Sequence, residues 1–207
     1  MECANCAKQG AKRLCAICKC LAYCGDNCAR ADWTRHWSEA HLFISSGADE
    51  PNDIDEIPGI PGLYVGGLDA LQHLDKLNIN AVISAIPYDT RRVTEEQLTT
   101  LIDKREHMRV PWEDTEEQIM RFKTLCATAQ FIHTHLAREH RVLVHCAAGM
   151  SRSVSIILFY MTHMPGGQWE TVERALHHIQ KVRPIAGPNK GFIRQLNEYQ
   201  KRTCPLF

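Results

Sequence analysis

A chain of 207 residues, 44% apolar and 23% charged with a formal net charge of zero, has the make-up of a globular protein of one or two domains. Zero net charge gives no reason to expect attraction to nucleic acid or to an acidic membrane surface. No apolar run approaches the roughly 18 residues of a membrane span, and the N-terminus lacks a signal-peptide core, so a cytoplasmic or nuclear location is expected.

The ten cysteines are unevenly spread: seven fall between Cys3 and Cys28, and only Cys126, Cys146 and Cys204 lie beyond. Crowded cysteines in a secreted mini-protein suggest disulfides, but these come as C-x-x-C pairs followed by histidines, which favours metal ligation. Cys3, Cys6, Cys15, Cys18, Cys24, Cys28, His36 and His41 suit two structural Zn2+ ions in tetrahedral sites, and so short a segment could hardly fold without them. Cys20 is an additional thiol. Six bases against four acids over residues 1–42 give no support for nucleic-acid binding.

Residues 45–62 hold five acids, no bases and three prolines, and read as a linker or an extended strap. The expected division is a zinc block over 1–42, an acidic linker over 43–58 and a larger domain over 59–203. In that domain LYVGG (63–67) and NAVISAI (80–86) read as strands, with Leu68–Leu77 helix-compatible between them. A helix is predicted over Thr94–Asp103, with Thr94 as N-cap and Gln97 three residues on. His107–Val110 is a short strand, and apolar residues from Ile119 to Leu136 recur at helical spacing within Glu116–Glu139. RVLVHC (141–146) is a buried-strand pattern and SRSVSIILFYMTH (151–163) a buried helix. Two amphipathic helices follow, near Trp169–Val182 and Pro188–Arg202. The expected fold class is α/β, a mostly parallel central sheet flanked by helices, preceded by a small zinc-stabilised finger.

The segment His145-Cys146-Ala147-Ala148-Gly149-Met150-Ser151-Arg152-Ser153 joins a strand to a helix. Such a junction aims backbone N–H groups and a helix N-terminus at one spot, a nest for a tetrahedral dianion. Cys146 at its start would have its thiolate stabilised by the same donors. Arg152 can hold two phosphate oxygens in bidentate fashion, Gly149 lets the backbone curl, and Ser153 can hydrogen-bond the sulfur as it leaves. The plain alternative is a buried cysteine that only packs. The spacing H-C-x-x-G-x-x-R-S argues against it.

This loop resembles the signature of the protein tyrosine phosphatase superfamily. With IPGLYVGG, VPWED and RPIAGPNKGFIRQLNEY around it, residues 59–202 are similar to the dual-specificity branch. The resemblance implies hydrolysis of phosphotyrosine and phosphoserine/threonine through a phosphocysteine, with no cofactor needed for catalysis. It makes Asp114 the general acid, with Glu113 as rival, and has His145 tune the thiolate. Asn189 and Phe192 match the family's C-terminal pattern, where packing and loop support are expected. His133, His135, His177 and His178 read as structural. Enzymes acting on phosphoinositides or RNA 5′ ends often carry extra bases in the loop, where this chain has Ala147, Ala148 and Met150. A phosphate-binding scaffold without activity commonly loses the Cys, Arg or Asp, and all three are present.

The N-terminal block resembles the MYND zinc finger, particularly in Tyr23-Cys24, Cys28 and Trp33-x-x-His36. That resemblance implies interleaved ligation: Cys3, Cys6, Cys24 and Cys28 on one ion, Cys15, Cys18, His36 and His41 on the other. It also implies a peptide or protein partner. Three features depart from the pattern: His41 stands where a cysteine is usual, Cys20 is an extra thiol that could replace Cys18 or remain free, and Ala29 replaces a glutamine of the usual peptide groove.

Overall fold

The computed structural model describes residues 2–3, 6–10, 13–14, 22–24, 28, 53–88, 94–164 and 169–204. The chain forms two units, Met1–Asn52 and Asp53–Phe207. In the first, β1 (Arg13–Leu14) pairs antiparallel with β2 (Ala22–Tyr23). A tight turn precedes them: Cys3 N donates to Lys8 O, Ala7 N donates to Cys3 O, and Ala7 takes φ 59°.

The second unit is built on five strands: β3 (Ile54–Glu56), β4 (Leu63–Gly66), β5 (Ile79–Ser84), β6 (Glu106–Arg109) and β7 (Arg141–His145). Their order is β3-β4-β7-β5-β6, with only β3 antiparallel to its neighbour. The central strands β5 and β7 are rich in Val, Ile and Leu and almost entirely buried, as parallel strands covered on both faces must be. The helices are α1 (Glu95–Ile102), α2 (Phe122–Leu136), α3 (Arg152–His163), α4 (Val172–Gln180) and α5 (Lys190–Tyr199). In α3 every residue from Arg152 to Met161 is buried, so the helix that leaves the phosphate loop is locked into the core. None of the described helices is long and apolar enough to cross a membrane.

The predicted capping box at α1 is present: Thr94 Oγ1 accepts from Gln97 N, and Gln97 Oε1 accepts from Thr94 N. The helix-compatible stretch Leu68–Leu77 does hold a helical turn, the 3-10 helix Asp69–His73. Two expectations need correction. Part of the presumed linker 43–58 belongs to the sheet, because Ile54–Glu56 pair with β4, Ile57 is buried, and Asp55 meets a buried arginine. The helix expected from Glu116 begins only at Phe122. Gln195 Oε1 takes the Met120 amide, Gln195 Nε2 donates to Gln118 O, and Gln118 Oε1 takes the Glu113 amide. These side chains satisfy the backbone groups that a helical turn would have used. Ile119 is therefore 67% exposed, off the buried stripe that its spacing suggested.

Candidate active site

The loop between β7 and α3 turns its carbonyls outward. Ala147 O accepts from Leu68 N, and Ala148 O and Gly149 O from the Arg183 guanidinium. Met150 O accepts from Gly187 N, Ser151 O from Ser155 N, and Cys146 O lies 3.3 Å from His145 Nδ1. With six successive carbonyls engaged, the loop amides are free to face inward. There the Cys146 sulfur accepts from Gly149 N at 3.2 Å and Ser153 Oγ at 3.3 Å, and from the amides of Ser153 and Met150. Gly149 has φ 65°, and a Cβ there would stand 2.5 Å from the carbonyl carbon of Gly66, so the turn needs glycine.

Cys146 is 1% exposed. Burial alone would push its thiol up, but the Arg152 charge and the hydrogen bonds from Ser153 and Met150 outweigh that and hold it below the ordinary value. Arg152 is 8% exposed. Its NH1 donates to Trp112 O, while its Nε, 3.5 Å from Asp114 Oδ2, has no hydrogen-bond acceptor among the described residues. A buried guanidinium N–H left in this state beside a ring of inward amides is built to receive an oxyanion.

Asp114 faces the loop: its Oδ1 accepts from Ser151 Oγ at 2.7 Å and from Asn189 Nδ2 at 2.9 Å. Glu113 is exposed and tied to its surroundings through its amide to Gln118. Of the two rivals, the carboxylate brought to the loop is Asp114. Asn189 also caps α5, its Oδ1 accepting from Phe192 N, so one side chain joins that helix to the acid loop. Phe192 packs beside Trp112 with ring centroids 6.1 Å apart. A Cβ on Gly191 would meet the Glu116 carbonyl carbon at 2.7 Å, so α5 approaches this loop as closely as backbone allows.

Arg183 and Asp55 were not legible as site residues. Arg183 Nε and NH2 hold two loop carbonyls, and its NH1 meets Asp55 Oδ2 at 2.6 Å with both side chains buried. The motif RPIAGPNKGF carries this arginine, but an acid in a polar strap gave no sign of being its counter-ion. Asp55→Ala removes that carboxylate from a buried charge and is expected to cost about 3 kcal/mol of stability. A thermal melt alongside turnover checks it, with a lower Tm and weakened phosphate binding as the expected pair of changes.

In the first unit the Cys3, Cys6, Cys24 and Cys28 sulfurs lie within 4.8 Å of one another, with Cys6–Cys24 at 3.7 Å and Cys24–Cys28 at 3.5 Å. A tetrahedral zinc with Zn–S bonds of about 2.3 Å spaces its sulfurs by about 3.8 Å, so this set fits zinc. It is also the set that interleaved ligation assigns to one ion. Cys15, Cys18, Cys20, His36 and His41 lie outside the described residues.

Residues 63–202 match the family model "Dual specificity phosphatase, catalytic domain". The chain belongs to the dual specificity phosphatase family. Dual specificity protein phosphatase 22 of Mus musculus is 32% identical over 145 residues, 69% of this chain and 72% of that protein. Dual specificity protein phosphatase 15 of Homo sapiens is 34% identical over 140 residues, 68% of this chain but 44% of the relative. Among solved structures, the Yvh1 phosphatase domain from Chaetomium thermophilum superposes with a TM-score of 0.62 at 30% identity, covering 74% of this chain and 99% of that one. Like these relatives, this phosphatase is a cysteine-based hydrolase of the α/β fold expected from its sequence. Residues 3–39 match the MYND finger, a protein-interaction module that binds zinc, and His41 lies just past that match.

Proposed function

We propose that this phosphatase hydrolyses phosphotyrosine and phosphoserine/threonine in proteins through a phosphocysteine at Cys146. The observation that carries the reading is the convergence of loop amides and Ser153 on one buried sulfur, beside an Arg152 Nε that makes no hydrogen bond among the described residues.

In the first step the Cys146 thiolate attacks phosphorus, forming the S–P bond as the ester O–P bond breaks. Asp114, as the acid, gives its proton to the departing oxygen. The amides of residues 147–152 and the Arg152 guanidinium hold the equatorial oxygens while charge redistributes. In the second step Asp114, now a carboxylate, takes a proton from a water that attacks phosphorus. The S–P bond breaks, and the Ser153 hydroxyl stabilises the returning thiolate. Apart from the attacking water, each group given a role in these steps is a residue of the chain.

The loop side chains of Ala147, Ala148 and Met150 add no cations beyond Arg152, which favours a singly phosphorylated protein side chain over a polyanionic substrate. Purified protein is expected to release phosphate from both phosphotyrosine and phosphothreonine peptides, and Cys146→Ser to release none. Activity confined to phosphoinositide or RNA 5′ ends would replace this reading.

For the finger we propose a second ion held by Cys15, Cys18, His36 and His41, and recruitment of a protein partner rather than nucleic acid. Metal analysis should give two zinc equivalents per chain, falling to one in Cys15→Ser and in Cys24→Ser alike. One equivalent in the unaltered protein would remove the second site.

A further inference from the structure

Three polar side chains cross the sheet beneath the phosphate loop. Across β6, β5 and β7, Val82 is registered with His107 and Leu143, and Ser84 with Arg109 and His145. Side chains alternate along a strand, so His107, Ser84 and His145 stand on one face, on three neighbouring strands. Ser84 Oγ is 2.7 Å from His145 Nε2 and 2.8 Å from His107 Nε2. Ser84 and His145 are wholly buried, whereas His107 stands on the edge strand with part of its ring open to solvent.

Only one arrangement of protons satisfies this chain. The Cys146 carbonyl can only accept, so His145 Nδ1 carries a hydrogen. Burial pushes the His145 pKa down to about 4, against its bond to Cys146 and with the help of His107, Arg109 and Arg152, so the ring is neutral. Its Nε2 is then bare and accepts the Ser84 hydroxyl proton. Ser84 Oγ in turn accepts from His107 Nε2–H. Burial and Arg109 push His107 towards its neutral form and Glu95 opposes them; the imidazolium carries the Nε2 proton, and so does the neutral tautomer that donates to Ser84 Oγ. Every donor from the edge strand inward therefore points towards the nucleophile.

We propose that Ser84 and His107 are positioning residues that fix the tautomer and tilt of His145, and through it the carbonyl of Cys146 and the seat of its sulfur under the loop amides. The inference rests on the reading of Cys146 as nucleophile and extends its support to the protein surface. A loop whose sulfur sits less squarely under its amides has a less stabilised thiolate, so the chain is read by thiol reactivity as well as by turnover.

The test is the pH profile of iodoacetamide alkylation at Cys146, followed on its own peptide by mass spectrometry, together with kcat and KM. Ser84→Ala, nearly the same size, should slow alkylation at neutral pH about fivefold, the loss expected for one net hydrogen bond, and lower kcat with little change in KM. His107→Leu should give a smaller loss in the same direction, and His107→Gln, which keeps a donor at similar reach, should restore most of it. Unchanged profiles in Ser84→Ala and His107→Leu would overturn the proposal, as would a His107→Gln variant as impaired as His107→Leu. If Ser84→Ala does not fold, the His107 pair on the edge strand decides alone. Failure of the underlying reading looks different: the unaltered protein would show no turnover that depends on Cys146.

Discussion

Arg152→Lys is expected to lower kcat/KM on an aryl phosphate by about 10²–10³-fold without unfolding the protein, the range seen when one preorganised donor to transition-state charge is lost. Lysine keeps the charge but not the planar fork, and Arg152 acts here through its geometry: NH1 is anchored on Trp112 O, while the buried Nε, 3.5 Å from Asp114 Oδ2, makes no hydrogen bond among the described residues. The variants also separate two duties of the arginine. Because Arg152 is the leading influence holding the Cys146 thiol down, Arg152→Ala should move the alkylation profile to higher pH. Arg152→Lys should move it less. Steady-state kinetics and the alkylation profile together check both, and a loss of less than tenfold in Arg152→Lys would show that the fork is not used.

Asp114→Asn is expected to lower kcat by about 10²–10⁴-fold on a phosphoserine peptide, the usual contribution of a general acid. The loss should be far smaller on an aryl phosphate whose leaving group departs without a proton. Asparagine keeps an acceptor for the Ser151 hydroxyl, so the loop should hold its place while the acid is gone. Glu113→Gln, at the exposed neighbouring position, provides the contrast, with little change on either substrate. Equal losses for Asp114→Asn on both substrates would mean that the carboxylate orders the loop rather than protonating the leaving group.

What was legible in the sequence followed from local chemistry. Thr94 and Gln97 announce a capping box because both partners lie within one helical turn, and the apolar run 142–144 leading into His145-Cys146 marks a buried strand feeding a loop. The Cys146, Arg152, Ser153 spacing was readable because strand, loop and helix are contiguous. What stayed hidden depends on residues far apart in the chain. Asp55 looked like one more acid in a polar strap, yet its partner Arg183 is 128 residues away and both are buried. The late start of α2 is set by Gln195, whose amide group captures Met120 and Gln118 from another helix. Ser84 gave no signal at all, since a serine within an apolar strand acquires its meaning only when β5 is laid between β6 and β7.

The most direct test of the central claim is to trap the phosphoenzyme. Mixing the protein with a substrate labelled in its phosphoryl group, then quenching in acid within one turnover, should leave label on the Cys146 peptide. The label should turn over in the unaltered protein, persist longer in Asp114→Asn, and be absent in Cys146→Ser. Phosphate release with no label on Cys146, or release that survives Cys146→Ser, would contradict the account.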